Sequence, residues 1–211
     1  MAGNVKTFPR RSGGETPLAH YKRIRSSLKS GDLLLCAGTH TFSHLIRQAT
    51  NSCWSHVAFI MRMDSIERVM VLESVESQGV RTIPLRRYLT DYVDGKAYSG
   101  GVAIFRHGKF PDVEEAEILR HFGPVAVDMF GYPYDKDQIL KLAGRIVWRK
   151  LGGSSNRSFD RDNEFICSEY VARCYDTVKI KIRQGKHGFV APSDFVSDAA
   201  VQHVTTLKNP D

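Results

Sequence analysis

Cys167 stands in the stretch Asn163-Glu164-Phe165-Ile166-Cys167-Ser168-Glu169-Tyr170-Val171, and its setting suits a reactive thiol. A polar and acidic run (Asp160, Asp162, Asn163, Glu164) comes just before an apolar-periodic segment, which is how a helix begins. Cys167 is therefore expected in or near the first turn of a helix that includes Val171, Cys174 and Tyr175. The positive end of a helix dipole favours the thiolate, which is the nucleophilic form. The competing reading is a small buried hydrophobe, a common fate of free cysteine. Cysteine-based hydrolysis also needs an imidazole to exchange protons with the sulfur and a polar group to orient the ring. His56, near the start of one expected strand, and Glu73, near the end of the next, could supply both. With a turn centred near residue 65, His56 lies about nine positions before it and Glu73 about eight after, which makes them candidate cross-strand neighbours. A solvent-facing histidine and an edge glutamate are the alternative.

The elements that must position these groups can be read from periodicity and turn residues. Helices are expected over Pro17–Leu28 and Thr39–Ala49, and a short one over Leu85–Tyr92. Strands are expected over Asp32–Cys36, Trp54–Met63, Arg68–Ser74 and Val102–Phe105, with a further one at Gly79–Pro84. Val113–Phe122 carries a broad apolar stripe that Gly123-Pro124 should break, with a continuation over Val125–Phe130 beyond the break as the alternative. Gly131-Tyr132-Pro133-Tyr134-Asp135 is turn chemistry. Gln138–Leu151 reads as a basic amphipathic helix, Gly152–Asp160 as a polar loop, and Ala191–Phe195 as the start of a short last helix. The layout is α+β, a small, mainly antiparallel sheet packed against helices.

Composition sets the frame. The chain has 211 residues, 42% hydrophobic and 25% charged, which fits one compact domain over 17–211 behind a polar, flexible arm over 1–16. No run of about twenty apolar residues could span a membrane, and the basic N-terminus has no apolar core, so a cytoplasmic chain is expected. Four cysteines make neither a disulfide framework nor a C-x-x-C zinc pair, which suits a reducing compartment. The net charge of +7 favours an anionic partner such as a cell-wall polymer or lipid headgroups; no nucleic acid is expected. His40 and His44 have metal-ligand spacing on a helix. No carboxylate lies between them, and Phe42 and Leu45 give that helix a packing role, so no metal and no cofactor is expected. Cys36 and Cys174 read as core. Cys53 could be a second thiol near the cleft, without the helix-start context of Cys167. Asp32 reads first as a turn former after Gly31.

Several phrases, in order, carry a resemblance: Gly31-Asp32-Leu33-Leu34-Leu35, Ser55-His56-Val57-Ala58-Phe59, Gly131-Tyr132-Pro133-Tyr134-Asp135, Ile166-Cys167-Ser168-Glu169 and Ala191-Pro192-Ser193-Asp194. Together they resemble the YiiX-like proteins, circularly permuted papain-fold enzymes of the NlpC superfamily, from about Gly31 to Asp198. Ordinary papain-fold chains place the cysteine before the histidine; here His56 and Glu73 precede Cys167, as permutation requires. The resemblance implies that Cys167 is the nucleophile, His56 the general base and acid, and Glu73 the orienting group. It implies a hydrolase that cleaves a peptide or N-acyl amide through a thioester, with Tyr134 and Ser168 as candidate substrate or oxyanion contacts. A small peptide, a cell-wall fragment or an acylated molecule is the expected substrate. Lipid acyltransfer or thioester hydrolysis is the alternative within the same group, and a non-catalytic binding module is the alternative outside it.

Overall fold

The computed structural model describes residues 6–110, 115–134, 167–185 and 190–210. Its centre is a six-stranded antiparallel sheet. The strands are β1 (Leu33–Gly38), β2 (His56–Met63), β3 (Arg68–Val75), β4 (Gly79–Pro84), β5 (Gly100–His107) and β6 (Val201–Lys208), in the order β4-β3-β2-β1-β5-β6. The helices are α1 (Pro17–Ile24), α2 (Thr41–Thr50), α3 (Leu85–Thr90), α4 (Glu115–Asp128), α5 (Cys167–Thr177) and α6 (Pro192–Ser197).

The sequence accounts for this layering. β1 is buried along its whole length because β2 and β5 flank it and both its faces are covered, so it reads as an unbroken apolar run. Side chains alternate between the faces of a strand. Leu33, Leu35, Val57, Phe59 and Phe105 turn to one face, where Phe122 of α4, Tyr170, Val171 and Tyr175 of α5, and Phe195 of α6 cover them. Leu34, Cys36, Ala58, Ile60 and Val71 turn to the other face, covered by Tyr21 of α1 and by Leu85, Tyr88 and Leu89 of α3. Gly79 opens β4 with φ +66°, and a Cβ there would fall 2.0 Å from the carbonyl oxygen of Tyr132. Only glycine allows the 131–132 segment to pair along Val80, which it does in both directions at 2.9 Å.

Several expectations change. Gly123-Pro124 does not break α4, which runs on to Asp128. Pro124 faces solvent, while Ile118, Phe122, Ala126 and Met129 keep one stripe in the core, so tertiary burial outweighs the missing donor. β6 was not expected; its polar stretch reads poorly as a strand because it lies at the sheet edge, with Gln202 and His203 exposed. The described part of the N-terminal segment is packed rather than free. Phe8 lies 5.1 Å from the Trp54 ring, and the Arg11 backbone exchanges hydrogen bonds with the Asn209 side chain at 2.8 and 2.9 Å. One aromatic in a polar stretch is a weak sequence signal, yet it fills a core position. α2 buries only Thr50 fully, so the packing role expected for Leu45 is slight. The expected basic helix 138–151, the loop 152–160 and the acidic run before Cys167 lie outside the described residues.

Candidate functional site

The site is assembled at one end of the sheet, where β1 and β3 finish and β2 begins. His56 is the first residue of β2 and pairs with Cys36 of β1. Ser55 fixes that start: its hydroxyl donates to the Cys36 carbonyl (3.2 Å) and accepts from the Gly38 N–H (2.9 Å). Glu73 sits on β3. The ladder pairs Phe59 with Leu72, so Glu73 falls one step on and diagonal to His56 on the same face, rather than directly opposite. The diagonal is short enough for a hydrogen bond from His56 Nε2 to Glu73 Oε2, 2.9 Å. Cys167 is the first residue of α5 and is 3% exposed, and its side chain lies close enough to His56 to act on the charge of the ring. With Nε2 given to Glu73, Nδ1 is the ring nitrogen left for the sulfur.

Electrostatics favour the charged forms of His56 and Glu73. Burial works against an imidazolium at His56, but the charge and hydrogen bond of Cys167, together with those of Glu73, outweigh it and raise His56 to about 10. Burial likewise works against the Glu73 carboxylate, yet His56, Arg81 and Tyr88 bring it below the ordinary carboxylate value. Burial governs the other thiols. Burial pushes Cys36 and Cys174 up, and Cys53 to about 11, so these three rest as neutral thiols.

Two partners of Glu73 went unnoticed in the sequence. Arg81 of β4 reaches Oε1 from Nε at 2.8 Å and from Nη2 at 2.7 Å. The Tyr88 hydroxyl of α3 donates to Oε2. A signal for Arg81 existed, because it pairs with Glu73 across the β3–β4 hairpin and the two charges are opposite. Tyr88 has no local signal; it reads as one apolar residue of a short helix.

The remaining candidates fall elsewhere. Ser168 is fully buried and its hydroxyl donates to the Val190 carbonyl, tying the start of α5 to the segment before α6. Tyr134 is half-buried and follows the 131–132 segment paired with β4, at the sheet edge beyond β3. Asp32 is a turn former, accepting from the Lys29 N–H at 2.8 Å. It also forms a buried ion pair with Arg106 (2.6 and 2.7 Å) at the opposite end of β1 from His56. His40 precedes α2 and its Nε2 meets the Ser99 hydroxyl at 2.9 Å, while His44 is exposed. Among the described residues no group of three or more His, Cys, Asp or Glu side chains could hold a metal ion.

A helix that opens on a cysteine, packed on an antiparallel sheet whose earlier strands bring the imidazole and the carboxylate, defines the permuted papain-like class. The family model described as "Permuted papain-like amidase enzyme, YaeF/YiiX, C92 family" matches residues 27–205, and this chain belongs to that family. The crystal structure of the metalloprotein YiiX from Escherichia coli O157:H7 aligns with a TM-score of 0.58 and 16% identity, covering 83% of this chain and 96% of that one. At that identity the likeness is one of fold. No curated protein matches the chain.

Proposed function

We propose that this protein is a cysteine amidase in which Cys167, His56 and Glu73 carry the chemistry. The observation that carries the reading is the placement of the His56 ring between the Cys167 side chain and the Glu73 carboxylate. Cys167 Sγ attacks the amide carbonyl, and the tetrahedral oxygen is met by backbone N–H groups at the start of α5. A further contact from Tyr134 is part of this proposal. The Ser168 hydroxyl is spent on Val190, which leaves only its backbone for that task. His56 gives its Nδ1 proton to the departing nitrogen as the carbonyl re-forms, leaving a thioester on Cys167. The now neutral imidazole takes a proton from water, the hydroxide equivalent displaces the sulfur, and the acid leaves with the thiolate–imidazolium pair restored. Glu73 stays ionised throughout and holds the ring.

The substrate class we favour is a peptide or N-acyl amide, with cell-wall peptide as the leading instance, since the net charge of +7 suits an anionic polymer. All four cysteines are free, which suits a reducing compartment. YiiX is described as a metalloprotein; no step proposed here passes through a metal. Among the described residues no helix is long and apolar enough to cross a membrane.

The test uses a thiol-reactive acyl probe. Labelling should fall on Cys167, vanish in Cys167→Ser, and drop by roughly a hundredfold or more in His56→Ala. Undiminished labelling of His56→Ala would remove the enzymatic reading. Peptidoglycan fragments and acyl lipids are then compared side by side, and selective turnover of the lipids would replace amide cleavage with acyl transfer.

A further inference from the structure

Glu73 is 0% exposed, and a buried carboxylate without a counter-charge takes up a proton. A protonated Glu73 could no longer anchor an imidazolium, so something must keep it ionised and pointing the right way. Its two oxygens are divided between partners. Oε1 takes the side of the Arg81 guanidinium, from Nε at 2.8 Å and Nη2 at 2.7 Å; Oε2 takes His56 at 2.9 Å and the Tyr88 hydroxyl. Four donors fill the lone pairs of one carboxylate, and rotating it would break all four. Arg81 is itself held. Its Nη1 donates to Gln78 Oε1 at 2.6 Å, and its guanidinium carbon lies 5.3 Å from the centre of the Tyr92 ring. We infer that Arg81 is the positioning residue of this site: it orients Glu73 so that Oε2 meets His56, and it supplies the fixed charge that keeps Glu73 ionised, with Tyr88 closing the second oxygen.

The groups around Glu73 leave Arg81 alone in that role. His56 faces Glu73 from β2, Arg81 from β4 and Tyr88 from α3, with Tyr92, Tyr98 and Cys36 of β1 acting at longer range, and Cys167 of α5 faces His56. Burial pushes Cys36 and all three tyrosines up, so they remain neutral near pH 7. The charged groups in contact with Glu73 are then His56 and Arg81. His56 changes charge during the proposed cycle, so it cannot also be the constant counter-charge. An arginine can, because it does not titrate in the working range.

This inference rests on the proposed roles of Cys167 and His56, and the experiment separates the two. The rate of Cys167 alkylation by iodoacetamide is followed against pH, read at the Cys167 peptide by mass spectrometry, with unfolding curves for every variant. Wild type should stay reactive well into the acid range, where an ordinary thiol is protonated. Arg81→Gln should move the acid limb toward neutral by roughly one to two pH units. Arg81→Lys should recover most of that shift, and Tyr88→Phe should move the limb less in the same direction. A merely structural role would lower the rate evenly at every pH without moving the limb. That result, or an unmoved limb in Arg81→Gln, overturns the inference. Tyr88→Phe keeps the ring and carries the test if Arg81→Gln does not fold; an unmoved limb there overturns it equally. An ordinary thiol profile in wild type would instead sink the proposed function itself, and this inference with it.

Discussion

At the scale of single residues, Glu73 shows how one buried charge ties stability to pH. Its carboxyl has a lower proton affinity in the folded chain than the ordinary value of 4.5. A carboxylate lowered in this way adds stability that is complete above the unfolded value and is lost as pH falls through the folded one. Urea unfolding of the wild type should therefore weaken steadily below about pH 4.5. Glu73→Gln should be less stable by about 3–5 kcal/mol at pH 7, because it strands the half-buried Arg81 charge, and its stability should be flatter across the acid range. An equally steep acid loss in Glu73→Gln would mean that other carboxylates dominate. The trio itself was legible because its residue types are scarce and their spacing matches elements the pattern already implied. Cys167 leads its helix, and His56 and Glu73 fall at adjoining strand ends. The support around the trio was not legible. One surface-type arginine among many, a tyrosine in a short helix, and a serine whose acceptor lies 22 residues away carry no pattern, since their partners are set by tertiary packing. The diagonal offset of His56 and Glu73 was equally out of reach, because turn counting fixes register only to within a residue or two.

At the scale of elements, α5 links the site to the rest of the sheet. Its first residue is Cys167, and its far end is fixed by the Tyr175 hydroxyl donating to the Gly31 carbonyl at 2.6 Å. Midway, the Tyr170 hydroxyl donates to the Ala126 carbonyl of α4 at 3.0 Å, so α4 braces the helix that presents the sulfur. These bonds give physical reasons for two stretches that carried the family resemblance. Gly31 takes φ +86° with the Phe110 ring against it, and the Asp194 carboxylate accepts from the Ala191 N–H at 2.8 Å at the start of α6. The central strands and the hairpin were readable from alternation and turn residues. The edge strand β6 and the run of α4 through Pro124 were not, because both owe their form to packing rather than to local preference. α4 offers a direct check. Pro124 is exposed and lacks the N–H that would bond the Arg120 carbonyl one turn earlier. Pro124→Ala restores that donor without touching the core stripe, and should stabilise the protein by about 1–2 kcal/mol in urea unfolding while leaving probe labelling of Cys167 unchanged. A loss of stability would show that the helix is bent there to fit α5, and that the proline sets the bend.

At the scale of the whole molecule, the two ends of the sheet have different tasks. The end carrying His56, Glu73 and Cys167 holds the exposed side of the imidazole, which is 13% accessible. The other end is closed by the Asp32–Arg106 pair and by Gly31 against Tyr175. The N-terminal segment packs at the end of the sheet that carries His56. Phe8 packs on Trp54, which stands two residues before His56 and meets Phe105 of β5 edge-on at 5.3 Å. The same segment is tied to the last strand, where the Thr206 hydroxyl donates to the Pro9 carbonyl. A stretch with little apolar content therefore joins the two chain termini and backs the entry into β2. Removing its aromatic anchor tests whether that backing matters. Phe8→Ala should cost about 3 kcal/mol, the usual loss for a buried phenylalanine whose site collapses only in part. Labelling of Cys167 should slow with it, because Trp54 would gain room beside the strand that carries His56. If stability falls while labelling of the folded protein keeps its rate, the segment serves the fold alone, and the imidazole is held by Ser55 and Glu73 without help from the N-terminus.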